Sequence, residues 1–222
     1  MNMKDLSKVA LLFLFFILSS CSVLDSNRVA GGYVEAFRSI SNLIYGYENN
    51  IDPEVISKIP YASSLVKIGK GPYALMILES SENKRYTWVS ADGVYLVTYE
   101  GRIIQSAGLQ NNLTQLTKPK ISWSLVDKPQ KFTYYASYDE PYLRDLKIEV
   151  EVINQGQTLT KLFNREVKLN LIKEKLSNRY LGWEVENTYW VDDKGFVWKS
   201  EQFISPKLPS FEMEITKKPY VE

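Results

Sequence analysis

The spacing of hydrophobic positions along this chain changes twice. Residues 9–18 form an unbroken apolar run of ten. From Tyr33 the apolar residues recur at steps of four and three, as Tyr33, Phe37, Ile40, Ile44 and Tyr47. Glu35, Arg38, Ser39, Ser41 and Asn42 occupy the opposite side. That period predicts an amphipathic helix packed over a sheet. Its polar face lacks the Lys and Arg enrichment of a membrane-surface helix. Asp52-Pro53 predicts the start of a second, short helix, because Asp caps well and Pro suits the first helical position, and Pro60 stops it.

After Gly71-Pro72 the period becomes two. Strands are predicted at residues 73–80, 84–90, 94–99 and 102–106, joined by Ser81-Glu82-Asn83, Ala91-Asp92-Gly93 and Glu100-Gly101. Connections this short make a four-stranded antiparallel meander. Leu109, Leu113 and Leu116 predict one or two helical turns before Pro119. Further strands are expected at 120–126, 131–138, 158–163, 166–174, 181–191 and 196–204, with turns at Asn154-Gln155-Gly156 and at 192–195. Leu146, Ile148, Val150 and Val152 alternate with Lys147, Glu149 and Glu151, and Phe211, Met213 and Ile215 alternate with Glu212, Glu214 and Thr216. Alternation of this kind gives one buried and one wet face, as in antiparallel sheets. The expected fold is mainly β, an antiparallel sandwich or partly open barrel with N-terminal helices. A transmembrane barrel would need its apolar set to face lipid and its charges to line a pore.

The first apolar run is too short to span a bilayer, which takes about 20 residues. With Lys4 and Lys8 before it, it reads as the core of a secretory signal peptide. It ends in Leu18-Ser19-Ser20-Cys21, which resembles the lipobox of bacterial lipoproteins. That resemblance implies a diacylglycerol on the Cys21 thiol, cleavage before Cys21 and acylation of the new amine, palmitate being the expected chain. Each buried CH2 contributes about 0.8 kcal/mol, so several chains anchor where one would not. Ser22, rather than Asp, follows the cysteine, which implies outer-membrane sorting. The expected organisation is a signal peptide at 1–20, a lipidated tether at 21–32 and a single β domain with a helical cap at 33–222. The body is expected on the periplasmic side.

Composition then narrows the chemistry. With no His, a Ser-His-Asp triad, an imidazole base and a His-ligated zinc are all ruled out. One Cys allows no internal disulfide. No metal site or cofactor is expected. Removing residues 1–20 takes away Lys4, Lys8 and Asp5 and leaves 25 basic and 25 acidic residues, with no basic run to hold a phosphate backbone. Asp192-Asp193-Lys194-Gly195 lacks the spaced oxygen ligands of a calcium loop and reads as a hairpin turn. Gly69-Lys70-Gly71-Pro72 is not a phosphate cradle, since Pro72 removes an amide donor.

A polysaccharide-modifying enzyme would need two carboxylates flanking a sugar bond. Glu184 and Glu186 share a strand face, but so do Glu149/Glu151 and Glu212/Glu214, and all three pairs are expected on solvated faces. Of 15 Tyr, 9 Phe and 5 Trp, one is out of parity. Leu181, Trp183, Val185, Tyr189 and Val191 should point inward, leaving Trp190 outside with Glu184 and Glu186. Trp190 is therefore the candidate glycan-binding residue.

Several segments together resemble the YjbF/GfcB family of lipoproteins, associated with exopolysaccharide and group 4 capsule. They are Ile59-Pro60-Tyr61-Ala62-Ser63-Ser64 with Val66-Lys67-Ile68-Gly69, and the apolar stretch 74–78. Gly101-Arg102-Ile103-Ile104 follows, then Ser106-Ala107-Gly108-Leu109 and Asn112-Leu113. The last is Tyr189-Trp190-Val191-Asp192 with Gly195, Val197, Lys199, Ser200 and Gln202. The resemblance covers nearly all of the chain after residue 20 and carries no catalytic residues with it. It implies a non-enzymatic outer-membrane lipoprotein with a mainly β fold. Its implied role is in polysaccharide export or assembly, with proteins of the export system or the polymer as partners.

Overall fold

The computed structural model describes residues 53–117, 122–123, 126–163 and 165–220. The expected helix from Tyr33, the tether and Cys21 lie outside these residues. All described elements belong to one compact unit, Leu43–Glu222. It opens with a short helix, α1 (Pro53–Ser57), placed where Asp52-Pro53 and Pro60 predict it.

Twelve antiparallel strands follow. They are β1 (Ser63–Ile68), β2 (Tyr73–Glu82), β3 (Arg85–Ser90), β4 (Tyr95–Tyr99), β5 (Arg102–Ala107) and β6 (Leu113–Leu116). The second half supplies β7 (Gln130–Tyr138), β8 (Leu143–Leu162), β9 (Arg165–Asn178), β10 (Trp183–Val191), β11 (Val197–Gln202) and β12 (Phe211–Lys217). Their order in the sheet is β5-β4-β3-β2-β1-β12-β11-β10-β9-β8-β7-β6. Each strand thus lies beside its neighbours in sequence, and the first pairs with the last. The two sheet ends, β5 and β6, are linked by the Leu113 N–H donating to Ser106 Oγ at 2.9 Å. The result is an up-and-down, nearly closed barrel, so the partly open barrel is the expected form that the chain adopts.

Parity explains most of this. Ile148, Val150 and Val152 are buried, while Lys147 and Glu149 on the same strand are exposed. The interior is packed with Trp88, Leu96, Tyr134, Tyr138, Ile172, Tyr189 and Phe211. Outward positions carry Lys131, Lys147, Glu149, Glu184 and Glu186, not the apolar band that lipid would require.

Four details differ from the sequence-based expectation. β1 was not expected: Ser63, Ser64, Leu65 and Val66 are all buried, so both faces are covered and no alternation shows. Leu113 and Leu116 belong to a strand instead of a helical turn. A bulge at Thr114 puts Leu113 opposite Tyr138 and Leu116 opposite Ala136, on one face despite their three-residue spacing. Asn154-Gln155-Gly156 is likewise a bulge within the single long β8, with Gly156 at φ +87° and its N–H bonded to Asn154 Oδ1 at 2.8 Å. In the segment expected as a strand at 120–126, the described residues form no ladder, and the Val126 N–H turns back to the Trp123 carbonyl at 3.3 Å.

Candidate functional site

The sequence-predicted residues do not converge. Trp190 is half-buried on β10, opposite Lys199 of β11, whose Nζ stands 5.7 Å from its ring centre. Glu186 is tied to Lys173 at 2.9 Å, and Glu184 is exposed. Leu181, expected inside, is 39% exposed beyond the end of β10, while Trp183 and Val185 are partly buried and Tyr189 and Val191 fully so. Glu212 and Glu214 are not on a solvated face. Glu212 bridges Lys67 at 3.0 Å and Lys199 at 2.8 Å. Burial alone would raise its pKa, but the hydrogen bonds from Lys199 and Lys67 take it down to about 2. Glu214 is buried and accepts the Phe163 N–H; burial pushes its carboxyl above the usual range.

The structure instead assembles a mouth at one end of the barrel, with a volume of about 200 Å³. Three turns build its rim. Asn83-Lys84 and Glu100-Gly101 each place two consecutive residues at positive φ, the requirement of tight two-residue hairpins. The third joins β10 to β11 and is organised by Asp192. One carboxylate oxygen accepts the N–H groups of Lys194 and Phe196 at 3.0 and 2.9 Å, and the other accepts Trp198 Nε1 at 3.1 Å. The expected hairpin at 192–195 is thus present, and its first residue also orients an aromatic wall. Phe196 and Trp198 meet edge to face, with centres 5.0 Å apart.

Tyr86, Trp88, Val197, Met213 and Ile215 line the floor. Gly101 lets the β4–β5 turn close against it: a Cβ there would come within 2.4 Å of Val197. Lys84, Lys194, Lys199 and Lys218 line the mouth, with Glu100 as the one carboxylate among the described lining residues. Lys218 Nζ sits 4.2 Å from the Phe196 ring centre and 5.8 Å from that of Trp198, and Arg165 lies 4.3 Å over Trp198. Such a surface can hold a flat apolar ring face and attract negative charge at its edge.

Deeper in the barrel lies a buried ionic centre, which the sequence reading did not single out. Arg102 and Glu174, each 1% exposed, pair through Nε and Oε1 at 2.8 Å. Glu174 also accepts the Tyr134 and Tyr189 hydroxyls at 2.9 and 2.8 Å and Asn187 Nδ2 at 3.2 Å. Arg102 stacks 3.5 Å over the Trp123 ring, which lies 4.5 Å from Tyr189. Burial, reinforced by the Glu174 charge, holds both tyrosine hydroxyls well above their usual pKa. Burial by itself would lower the pKa of Arg102, but Glu174 carries it upward. The adjoining cavity of about 20 Å³ has room for about one water, so the centre is a structural clamp with no space for a sugar. Among the described residues lining them, the centre holds the carboxylate of Glu174 and the mouth that of Glu100. Among the described residues, no three Asp, Glu, Cys or His side chains group as metal ligands.

Comparison with known proteins gives a consistent result. The family described as "Group 4 capsule polysaccharide lipoprotein gfcB, YjbF" matches residues 37–216. The lipoprotein GfcB of Escherichia coli K12 is 23% identical over 190 residues, covering 83% of this chain and 88% of that protein. The lipoprotein YjbF of the same organism is 22% identical over 205 residues, covering 90% and 92%. The crystal structure of the hypothetical lipoprotein YmcC from E. coli K12 superimposes with a TM-score of 0.73 at 22% identity. It covers 90% of this chain and 100% of that one, and shows the same fold. With a match over most of its length, this chain belongs to the YjbF family of group 4 capsule polysaccharide lipoproteins.

Proposed function

We propose that this protein is a lipid-anchored accessory of capsule or exopolysaccharide export and assembly, held in the outer membrane through Cys21 with its body toward the periplasm. It acts by binding the polymer, and the aromatic, lysine-rimmed mouth is the observation that carries this reading. Phe196 and Trp198 supply the contact surface. Trp190 flanks it through Lys199, which lines the mouth and stands beside its ring. The family description supports the link to capsule polysaccharide, and the lipobox-like Leu18-Ser19-Ser20-Cys21 supports the anchor.

The test is deletion of the gene, with complementation by wild type, Cys21→Ala and Phe196→Leu, scoring surface polysaccharide and incorporation of labelled fatty acid. Wild type should restore both. Cys21→Ala should lose the label, and Phe196→Leu should keep the label but export less polymer. Unchanged polysaccharide in the deletion strain would overturn the assignment.

A further inference from the structure

We infer that the mouth selects acidic sugars, binding a carboxylate-bearing pyranose in preference to a neutral one. This rests on the polymer-binding reading above and adds the chemistry of the unit recognised.

The charges lining the mouth are not equivalent. Lys84 is neutralised by Glu100 at 2.6 Å. Lys199 is shared between Glu212 at 2.8 Å and Glu214 at 3.8 Å. Lys194 and Lys218 have no carboxylate within ion-pair distance among the described residues. Lys194 stands exposed on the β10–β11 turn, and Lys218 leans over Phe196 and Trp198. Two ammonium groups with no ion pair among the described residues therefore share one opening with two aromatic rings.

A uronic acid unit matches this arrangement on both counts. Its ring has an apolar C–H face that can lie on Phe196 or Trp198. Its carboxylate projects from the ring edge, where Lys218 or Lys194 can reach it as a charge-assisted hydrogen bond. Lysine also fits the task mechanically. Its ammonium is a point charge on a flexible stem, so it follows a polymer that slides, whereas a forked arginine would fix one geometry. The volume of about 200 Å³ admits a sugar unit at a time and leaves the rest of the strand outside. Each contact is consequently weak, and affinity must come from repeated units along the polymer.

The test uses the full-length lipoprotein in detergent and three probes of matched length: oligogalacturonate, neutral dextran oligomers and poly-glutamate. Wild type should bind oligogalacturonate at least about tenfold more tightly than dextran, equivalent to about 1.4 kcal/mol, and the preference should shrink as salt rises. The Lys194→Gln/Lys218→Gln double variant, altered only at the mouth rim, should abolish the preference while leaving the unfolding midpoint unchanged. Equal binding of oligogalacturonate and dextran would overturn the charge inference and leave the polymer-binding reading standing. Binding of neither sugar would overturn both. Poly-glutamate binding as tightly as oligogalacturonate would also overturn the inference, since charge alone would then account for it.

Discussion

Replacing Glu174 with Gln removes one charge and almost no volume from the barrel interior. Arg102 is then left as a buried cation whose Nε has lost its carboxylate, while its two terminal nitrogens already have no hydrogen-bond partner among the described residues. Breaking a buried pair from one side costs about 3–5 kcal/mol. The Trp123 ring at 3.5 Å stands over Arg102 in wild type and variant alike, so this cation–π contact cancels in the difference. The expected loss is therefore at least about 3 kcal/mol. Arg102→Met should cost a similar amount from the other side, leaving a carboxylate with three remaining donors. The double variant Arg102→Met/Glu174→Gln buries no net charge and should also lose about 3 kcal/mol, not the additive 6. Urea unfolding of the three variants and wild type reads each loss from the midpoint at constant slope. If the double variant lost the sum of the two singles, the side chains would be acting independently and the clamp would not exist.

Two glycines should separate backbone strain from close packing. Gly101→Ala combines a positive φ with a clash against Val197 and should cost about 2–5 kcal/mol, while Gly93→Ala has positive φ but open space and should cost about 1–2. Equal urea midpoints for the two variants would show that the Gly101–Val197 approach does not matter. Glu212 should make the fold acid-sensitive. Its folded pKa of about 2 lies below the usual 4.5, so its contribution is fully present above pH 4.5 and disappears as pH falls from there toward 2. Since its side chain is 22% exposed and partly screened, the contribution is about 1–2 kcal/mol. Thermal unfolding of Glu212→Gln should therefore approach that of wild type as pH drops from 5 to 2.5; a constant gap between the two curves would count against this.

How legible each part was depended on whether its signal is local. β8 and β12 alternate between apolar and charged residues, and their inward faces could be read directly. β1 could not, because burial on both faces erases alternation. Leu113 and Leu116 misled because a bulge gives a strand the three-residue spacing of a helix. Glu174 carried a signal that ended up at the boundary of an expected strand. It falls in the inward series Ile172, Glu174, Leu176, and β9 continues to Asn178, so parity alone places a carboxylate in the core. Its partner Arg102 lies 72 residues away, a distance over which pattern offers nothing. The mouth was hidden for the same reason: its residues come from three turns and from β3, β4, β11 and β12, each ordinary alone. Trp190 stood out by parity, whereas Phe196 and Trp198, next to the turn fixed by Asp192, only became a pair once the hairpin folded.

The pairing of β1 with β12 has a consequence for the order in which the molecule can be completed. Ser63 and Thr216 share a hydrogen bond at 2.8 Å across 153 residues. The first strand therefore has no partner on that side until the last has been made and delivered. Until then the edge of β1 that β12 covers is bare, and unpaired edges invite association with other strands. Of the strand pairings, this one has the largest loop to gather in. Loss of β12 would leave an open sheet rather than a shortened barrel, with β1 and β11 both unpaired along that side.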